Sequence, residues 1–142
     1  MSTVFFTDRD LGKQFPALLR NAGISVEGHG DHFLDDAKDE EWIVEVGKRG
    51  WAVVTHDKRI RYKPNEIAAV KAAGIAMFVL IGKAPNDVLA QNFINTINRV
   101  EALVLKQKRP FIAKIYLPSA GEIKRKPKAA GRVDLWVGNR AE

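Results

Sequence analysis

The sequence predicts an α/β protein with a largely parallel central sheet. Its 142 residues are enough for one domain, and its shares of hydrophobic (46%) and charged (28%) residues are typical of folded globular proteins. Short apolar runs alternate along the chain with longer segments whose apolar residues recur at helical spacing. This alternation favours parallel strands that are connected by helices.

The first part of the chain predicts three strands and two helices. Gly23 and Gly50 end the helices, since glycine readily adopts the conformation that stops a helix. We expect Asp10 to cap the first helix and Asp39 the second, because short acidic side chains accept hydrogen bonds from the first amide groups. The glycine- and acid-rich stretch Gly28–Lys38 is expected to be loop. The strands are assigned to Thr3–Thr7, Ile24–Glu27 and Trp51–Thr55, and the helices to Leu11–Ala22 and Asp39–Arg49.

The rest of the chain continues the alternation. The apolar stripe on Asn86–Leu105 is either core or the interface of a homodimer. From Pro118 the chain is rich in Lys, Gly and Pro. We therefore expect a domain over residues 1–117 and a basic C-terminal extension over residues 118–142, either a flexible tail or an extra strand. The expected elements are helices from Pro64 to Gly74 and over Asn86–Leu105, strands Ile75–Ile81 and Phe111–Leu117, and a late apolar stretch Val133–Val137.

The composition disfavours several classes of protein. Without Cys the chain has no disulfide framework, thiolate metal site or cysteine nucleophile. The longest apolar run, Ile75–Ile81, is too short to cross a membrane. The N-terminus has no positively charged leader. We therefore expect a cytoplasmic protein with no membrane partner.

The charges are unevenly distributed. The net charge is +6 and the isoelectric point is near 9.7. Residues 27–41 hold seven of the acids and only one base, Lys38, so the other 127 residues carry a net charge of +12. A basic body with an acidic patch suits a metal-dependent enzyme acting on a polyanion, because bases attract phosphates and acids hold cations. The alternative is an acidic loop that is merely solvated.

Three acids are expected at one edge of the sheet. Asp8 follows the first strand, Asp57 follows the strand that ends at Thr55, and Asp39 begins the helix before that strand. Functional groups of a parallel sheet collect at the carboxyl ends of its strands, and converging carboxylates need a cation between them. Oxygen ligands without Cys favour Mg²⁺ or Mn²⁺. The alternatives are a helix cap for Asp39 and a turn residue for Asp57.

Two histidines form a second candidate site. His29 and His32 lie in one glycine-rich segment and could chelate a transition metal. No second pair of ligands accompanies them, so a solvated loop is the alternative.

Three motifs occur in the order and spacing of a known family. They are Phe5–Gly12 (FFTDRDLG), Asp39–Trp42 (DEEW) and Val53–Lys58 (VVTHDK). Through them, over about residues 3–82, the chain resembles the PIN-like domain proteins, in particular the VapC-type toxin branch. The resemblance implies a three-layer α/β/α sandwich and a Mg²⁺- or Mn²⁺-dependent endoribonuclease that is the toxin of a type II toxin–antitoxin pair. The implied partners are an RNA substrate, a cognate antitoxin protein and a second copy of the chain.

The resemblance also assigns residues. It implies that Asp8, Asp39 and Asp57 are the catalytic metal ligands, with Asp10, Glu40 and Glu41 as alternative ligands. The fourth acid of many PIN nucleases has no match, since the basic Arg59 stands two residues after Asp57. Bases near these acids would hold the RNA backbone through its phosphates. This RNA-binding set is Arg9, Lys58, Arg59, Arg61 and Lys63.

Two other functions fit parts of the pattern. Asp8 and Asp10 after a hydrophobic strand also resemble the start of a haloacid-dehalogenase-type phosphatase, with an aspartyl nucleophile and an acid/base two residues later. That family expects Thr or Val at position 12, where this chain has Gly12. The second alternative is a catalytically weak PIN-like module that binds RNA or protein.

Overall fold

A six-stranded sheet forms the centre of the computed structural model, which describes residues 3–56 and 64–138. The strand order is β2-β1-β3-β4-β5-β6. The first five strands pair in parallel and β6 pairs antiparallel with β5, so the predicted α/β fold with a mostly parallel sheet is confirmed. The strands are β1 (Phe5–Thr7), β2 (Val26–Gly28), β3 (Ala52–Thr55), β4 (Ala76–Ile81), β5 (Phe111–Tyr116) and β6 (Val133–Gly138).

Helices cover both faces of the sheet. Because strand side chains alternate between faces, Phe5 and Phe6 enter different cores. Phe5 packs with Phe93 on the face where α1 lies against α4, and Phe6 packs with Trp42 on the face where α2 lies against α3. The result is three layers. The helices are α1 (Gln14–Asn21), α2 (Asp39–Arg49), α3 (Pro64–Ala73), α4 (Asn86–Lys106) and α5 (Ala120–Arg125).

The segment after β1 differs from the expected single helix. Arg9–Leu11 forms a short 3₁₀ turn, and α1 begins only at Gln14. Gly12 separates the two with a φ of 68°, a conformation that interrupts a helix. Asp8 caps the 3₁₀ turn and Lys13 precedes α1, so the expectation that Asp10 caps the first helix is wrong.

The C-terminal segment contributes to the same sheet. Residues 133–138 form β6. Of the two expectations for this segment, a flexible tail or an extra strand, the extra strand is therefore the one observed. Two residues of α4 anchor the approach to it, since Arg99 donates to the Gly131 carbonyl (2.9 Å) and the Gly131 amide donates to Thr96 Oγ1 (2.9 Å). The division of the chain at residue 117 stays a prediction.

The apolar stripe of α4 belongs to the core. Leu89, Phe93 and Val100 are at most 2% exposed and pack in the core between α4 and the sheet. The stripe therefore gives no support to a dimer interface. Among the helices of residues 3–56 and 64–138, none has both the length and the apolar character needed to span a bilayer.

Candidate functional site at the carboxyl edge of the sheet

Asp8 is a buried carboxylate at the carboxyl end of β1. Its residue is 5% exposed, and its backbone amide continues the strand by donating to the Val54 carbonyl. Asp8 Oδ1 accepts from the Arg9 amide at 2.7 Å, and Oδ2 accepts from the Thr55 hydroxyl at 2.9 Å. Burying a carboxylate is costly unless such donors replace water. The site therefore begins with a carboxylate whose two oxygens are held in fixed directions.

Thr55 connects the first strand to the third. It is the last residue of β3, is fully buried, and donates to Asp8 across 47 positions of sequence. Sequence reasoning did not single out Thr55, although its place at the end of a buried strand, two residues before Asp57, is the signal that could have found it. The hydroxyl fixes the orientation of Asp8, as hydrogen-bonding partners of ligating carboxylates commonly do.

Asp10 and His56 form further hydrogen bonds at the same edge of the sheet. Asp10 Oδ2 accepts from the His56 amide at 3.1 Å, and His56 Nε2 donates to the Gly82 carbonyl at 2.8 Å. The ends of β1, β3 and β4 are thereby connected at one place. Asp57, the third predicted metal ligand, lies outside the described residues, as do Lys58, Arg59, Arg61 and Lys63 of the predicted RNA-binding set.

Asp39 is the first residue of α2 and not its cap. Lys38 occupies the cap position, and Asp39 Oδ1 instead accepts from the indole nitrogen of Trp42 at 2.9 Å. This bond satisfies the one polar group of a fully buried tryptophan. Glu40 and Glu41, the alternative ligands, are exposed in the first turn of the same helix. Asp39 thus has a structural partner in Trp42.

A cavity of about 440 Å³ opens beside Asp8, between the turn after β1 and the turn after β2. Its charged lining is balanced, with three bases and three acids. The guanidinium of Arg20 already makes hydrogen bonds within the chain, to the Val26 carbonyl and to Asp31 Oδ2, each at 3.2 Å. The predicted RNA-binding residue Arg9 lies in this wall, together with two bases that sequence reasoning missed. The charged lining residues are Arg9, Lys13, Arg20, Asp8, Asp31 and Asp35.

The two loop histidines do not form a joint metal site. His29 is only 2% exposed, whereas His32 is at the surface, where its Nε2 contacts Glu27 Oε1 at 2.7 Å. The expectation of a solvated loop is wrong for His29, because aromatic neighbours enclose its ring. Burial and the positive charge of Arg9 lower its pKa below the usual 6.5, against the opposing charges of Asp35 and Asp39.

The described residues do not by themselves form a metal site. Within residues 3–56 and 64–138, no group of three or more His, Cys, Asp or Glu side chains could hold an ion. Asp8 lines the cavity together with His29, and Asp39 lies at the start of α2, where it accepts from the indole of Trp42. Their carboxylate oxygens are of the type that Mg²⁺ and Mn²⁺ prefer.

The turn after β1 disfavours the haloacid-dehalogenase alternative. Gly12 has a φ of 68°, a region in which Thr or Val, the residues expected at this position, would be strained. Asp10, the acid/base of that alternative, is bonded to the backbone of His56. The local geometry is therefore that of a glycine turn, into which the phosphatase motif does not fit.

Comparison with known proteins agrees with this geometry. Residues 3–82, more than half of the chain, match the family model of the PIN-like domain. No curated protein matches the chain. No solved structure matches it either. The matched range contains β1 to β4, Asp8, Thr55 and the cavity, and on this match the chain belongs to the PIN-like domain family.

Proposed function

We propose that this protein is a Mg²⁺- or Mn²⁺-dependent endoribonuclease. PIN-like domains are generally nucleases, which supports a nuclease-type function. The observation that carries the finer proposal is the buried Asp8 carboxylate, which Thr55 and the Arg9 amide hold at the carboxyl edge of the sheet. A carboxylate in this position is expensive to bury and has a fixed direction, as a metal ligand requires.

Asp8, Asp39 and Asp57 would hold the cation. A bound divalent ion lowers the pKa of water and stabilises charge that develops on a phosphate. Thr55 keeps Asp8 in one orientation, so the carboxylate needs little rearrangement when it takes up the ion. Asp10 fixes the backbone of His56, the residue that immediately precedes Asp57 in the sequence. Each of these bonds reduces the reorganisation that the site undergoes during the reaction.

The bases around the cavity would hold the RNA backbone. Arg9, Lys13 and Arg20 line the wall next to Asp8, and the predicted set adds Lys58, Arg59, Arg61 and Lys63 from the segment that follows His56. Contacts of this kind position a phosphate chain without reading its sequence. Binding should therefore weaken as salt concentration rises, because each phosphate contact releases counterions.

The toxin assignment is part of the same proposal. It is supported by the motifs shared with the VapC-type branch, and it implies an antitoxin that covers the cavity beside Asp8. Co-expression with the neighbouring gene tests it. We expect the neighbour's product to co-purify with this chain and to stop RNA cleavage; a neighbour that does neither would remove the toxin assignment and leave the nuclease proposal in place.

The nuclease proposal is tested by cleavage of a labelled RNA by the purified full chain. We expect cleavage with Mg²⁺ or Mn²⁺, none with EDTA, and a loss of at least a hundredfold in Asp8→Asn. Asp87→Asn, an exposed acid in the first turn of α4, is the matched control and should cleave like the wild type. Cleavage that survives EDTA or Asp8→Asn would contradict the proposal, and RNA binding without cleavage would favour the binding module.

A further inference from the structure

One face of the sheet is only partly covered near the carboxyl ends of β4 and β5. The β5 side chains on the α1/α4 side are buried along the whole strand, whereas burial on the α2/α3 side stops after Ile112. Lys114 and Tyr116 follow at alternate positions on that side, and both are half-buried. Ile81, which pairs with Tyr116, is the one partly exposed residue of β4. The helices on this side therefore leave the end of the sheet accessible.

Cations and aromatic rings lie together on this accessible part. Lys114 Nζ lies 5.4 Å from the ring centroid of Trp136 on β6, and the guanidinium carbon of Arg132 lies 4.3 Å from that of Tyr116. Trp136 packs against the same core as Ile112, so it lies on the α2/α3 side. Asp134, directly opposite Lys114 in the register, shares that side. We call this surface the open sheet face; it consists of Ile81, Lys114, Tyr116, Arg132, Asp134 and Trp136.

Arg132 is held in place and is still accessible. Its Nε donates to Asp134 Oδ2 at 2.8 Å, and the ring of Tyr116 lies against its guanidinium. The Arg132 side chain nevertheless is 67% exposed. A guanidinium that is fixed at its edge and on one side has another side for a ligand. Nucleobases stack on arginine planes as they do on aromatic rings, so a base is a ligand that fits this arrangement.

The open sheet face adjoins the carboxyl edge of the candidate site. His56 Nε2 donates to the carbonyl of Gly82, the residue that directly follows Ile81. His56 also immediately precedes the predicted metal ligand Asp57 in the sequence. A nucleic acid bound at the carboxyl edge can therefore extend onto the open sheet face without leaving the sheet.

We propose that the open sheet face binds single-stranded RNA, with a nucleobase stacked on the Arg132–Tyr116 pair and a phosphate bound by Lys114. The inference rests on the proposed nuclease function and assigns a further contact region to the same substrate. Surfaces that bind single strands combine cations, which attract the backbone, with planar groups, which stack on bases of any sequence. The net charge of +6 favours such a polyanionic ligand.

The test measures binding without cleavage. All chains carry Asp8→Asn and are titrated in EDTA with two fluorescent ligands, a single-stranded RNA of about ten nucleotides and an abasic chain of the same length, which has the phosphates but no bases. Arg132→Lys keeps the positive charge and removes the planar guanidinium. The matched control is Arg125→Lys, the same substitution at an exposed arginine of α5, outside the open sheet face.

We expect Arg132→Lys to bind the RNA roughly five- to hundredfold more weakly, the range of one stacked base, and to bind the abasic chain like the parent. Arg125→Lys should change neither affinity. Equal RNA affinity of Arg132→Lys and the control would overturn the inference and favour a protein partner for this face. An equal loss of affinity for the abasic chain would also overturn it, because the bases would then contribute nothing.

A second measurement covers the case in which Arg132→Lys disturbs the fold. Tryptophan fluorescence is followed during the same RNA titration. We expect RNA to quench it and Trp136→Phe to remove most of the quenching, because Trp42 is fully buried and Trp51 packs against Phe6. Quenching that persists unchanged in Trp136→Phe would overturn the inference. A failure of the nuclease proposal would appear separately, as wild-type chain that binds RNA without cutting it.

Discussion

The bond between Thr55 and Asp8 makes the sharpest stability prediction. Thr55→Val keeps the shape of the side chain and removes only the hydroxyl that donates to Asp8 Oδ2 at 2.9 Å. Both residues are at most 5% exposed, so water does not readily replace the lost donor. Removing one partner of a buried hydrogen bond costs about 1–3 kcal/mol. We therefore expect the free energy of unfolding to fall by about 2 kcal/mol and the melting temperature by roughly 6–8 °C for a chain of this size.

The neighbouring strand offers a matched control. Thr7 is also a buried strand threonine, 1% exposed, and its hydroxyl has no partner among the described residues. Thr7→Val should therefore be neutral or stabilising, because it removes an unsatisfied polar atom. Urea unfolding followed by tryptophan fluorescence and circular dichroism measures both variants. A Thr55→Val variant that loses no more stability than Thr7→Val would refute the assigned role of the bond.

Asp8→Asn removes the negative charge of the carboxylate and keeps the shape of the side chain, so it shows how much of the Thr55 bond depends on that charge. In this background the acceptor is a neutral amide, so Thr55→Val should cost less than it does beside the carboxylate. The difference between the two costs is the coupling energy of the pair in a double-mutant cycle. A coupling near zero would mean that Thr55 supports β3 without orienting Asp8.

Two further predictions concern other parts of the chain. Gly131→Ala should lower the unfolding free energy by more than about 3 kcal/mol, because its Cβ would overlap the Tyr116 carbonyl oxygen. The Cβ of Gly30→Ala meets open space, so this control variant should change the unfolding free energy by no more than about 1 kcal/mol. Equal urea midpoints for the two variants would contradict this prediction. The lowered pKa of His29 means that the unfolded chain takes up a proton near pH 6.5 before the folded chain does, so wild-type stability is lost as the pH falls from about 6.5 toward the folded pKa. His29→Phe should lose less stability than the wild type between pH 7.5 and 5.5, and identical losses would contradict this prediction.

The central strands could be predicted from the sequence because nearly all of their residues are buried. β3 and β4 lie in the middle of the sheet with helices on both faces, so they contain almost only apolar residues and their pattern is unambiguous. The place of Asp8 at the end of a buried strand could be predicted for the same reason, since a carboxylate directly after an apolar run is conspicuous. The helix after β1 could be predicted less well, because Gly12 adopts a positive φ and shortens it.

The rest of the site depends on contacts between distant segments. Thr55 becomes a site residue only through a bond to a strand 47 positions earlier. His29 lies in a segment that is polar in sequence, and it is buried only because Phe6 and Trp42 arrive from β1 and α2. Asp39 fits the pattern of a helix cap, yet its oxygen binds an indole one turn later. Local sequence patterns do not predict these contacts, because each contact joins residues through the tertiary fold or through a side-chain bond that the pattern does not specify.

Binding of Mn²⁺ to the purified full chain, followed by the loss of the free-ion signal in electron paramagnetic resonance, tests the central claim most directly. We expect the wild type to bind the ion saturably, Asp8→Asn, Asp39→Asn and Asp57→Asn each to bind at least tenfold more weakly, and the control Asp87→Asn to bind like the wild type. A wild-type chain that leaves all Mn²⁺ in solution, or site variants that bind as tightly as the control, would contradict the claim that these three carboxylates share a divalent cation.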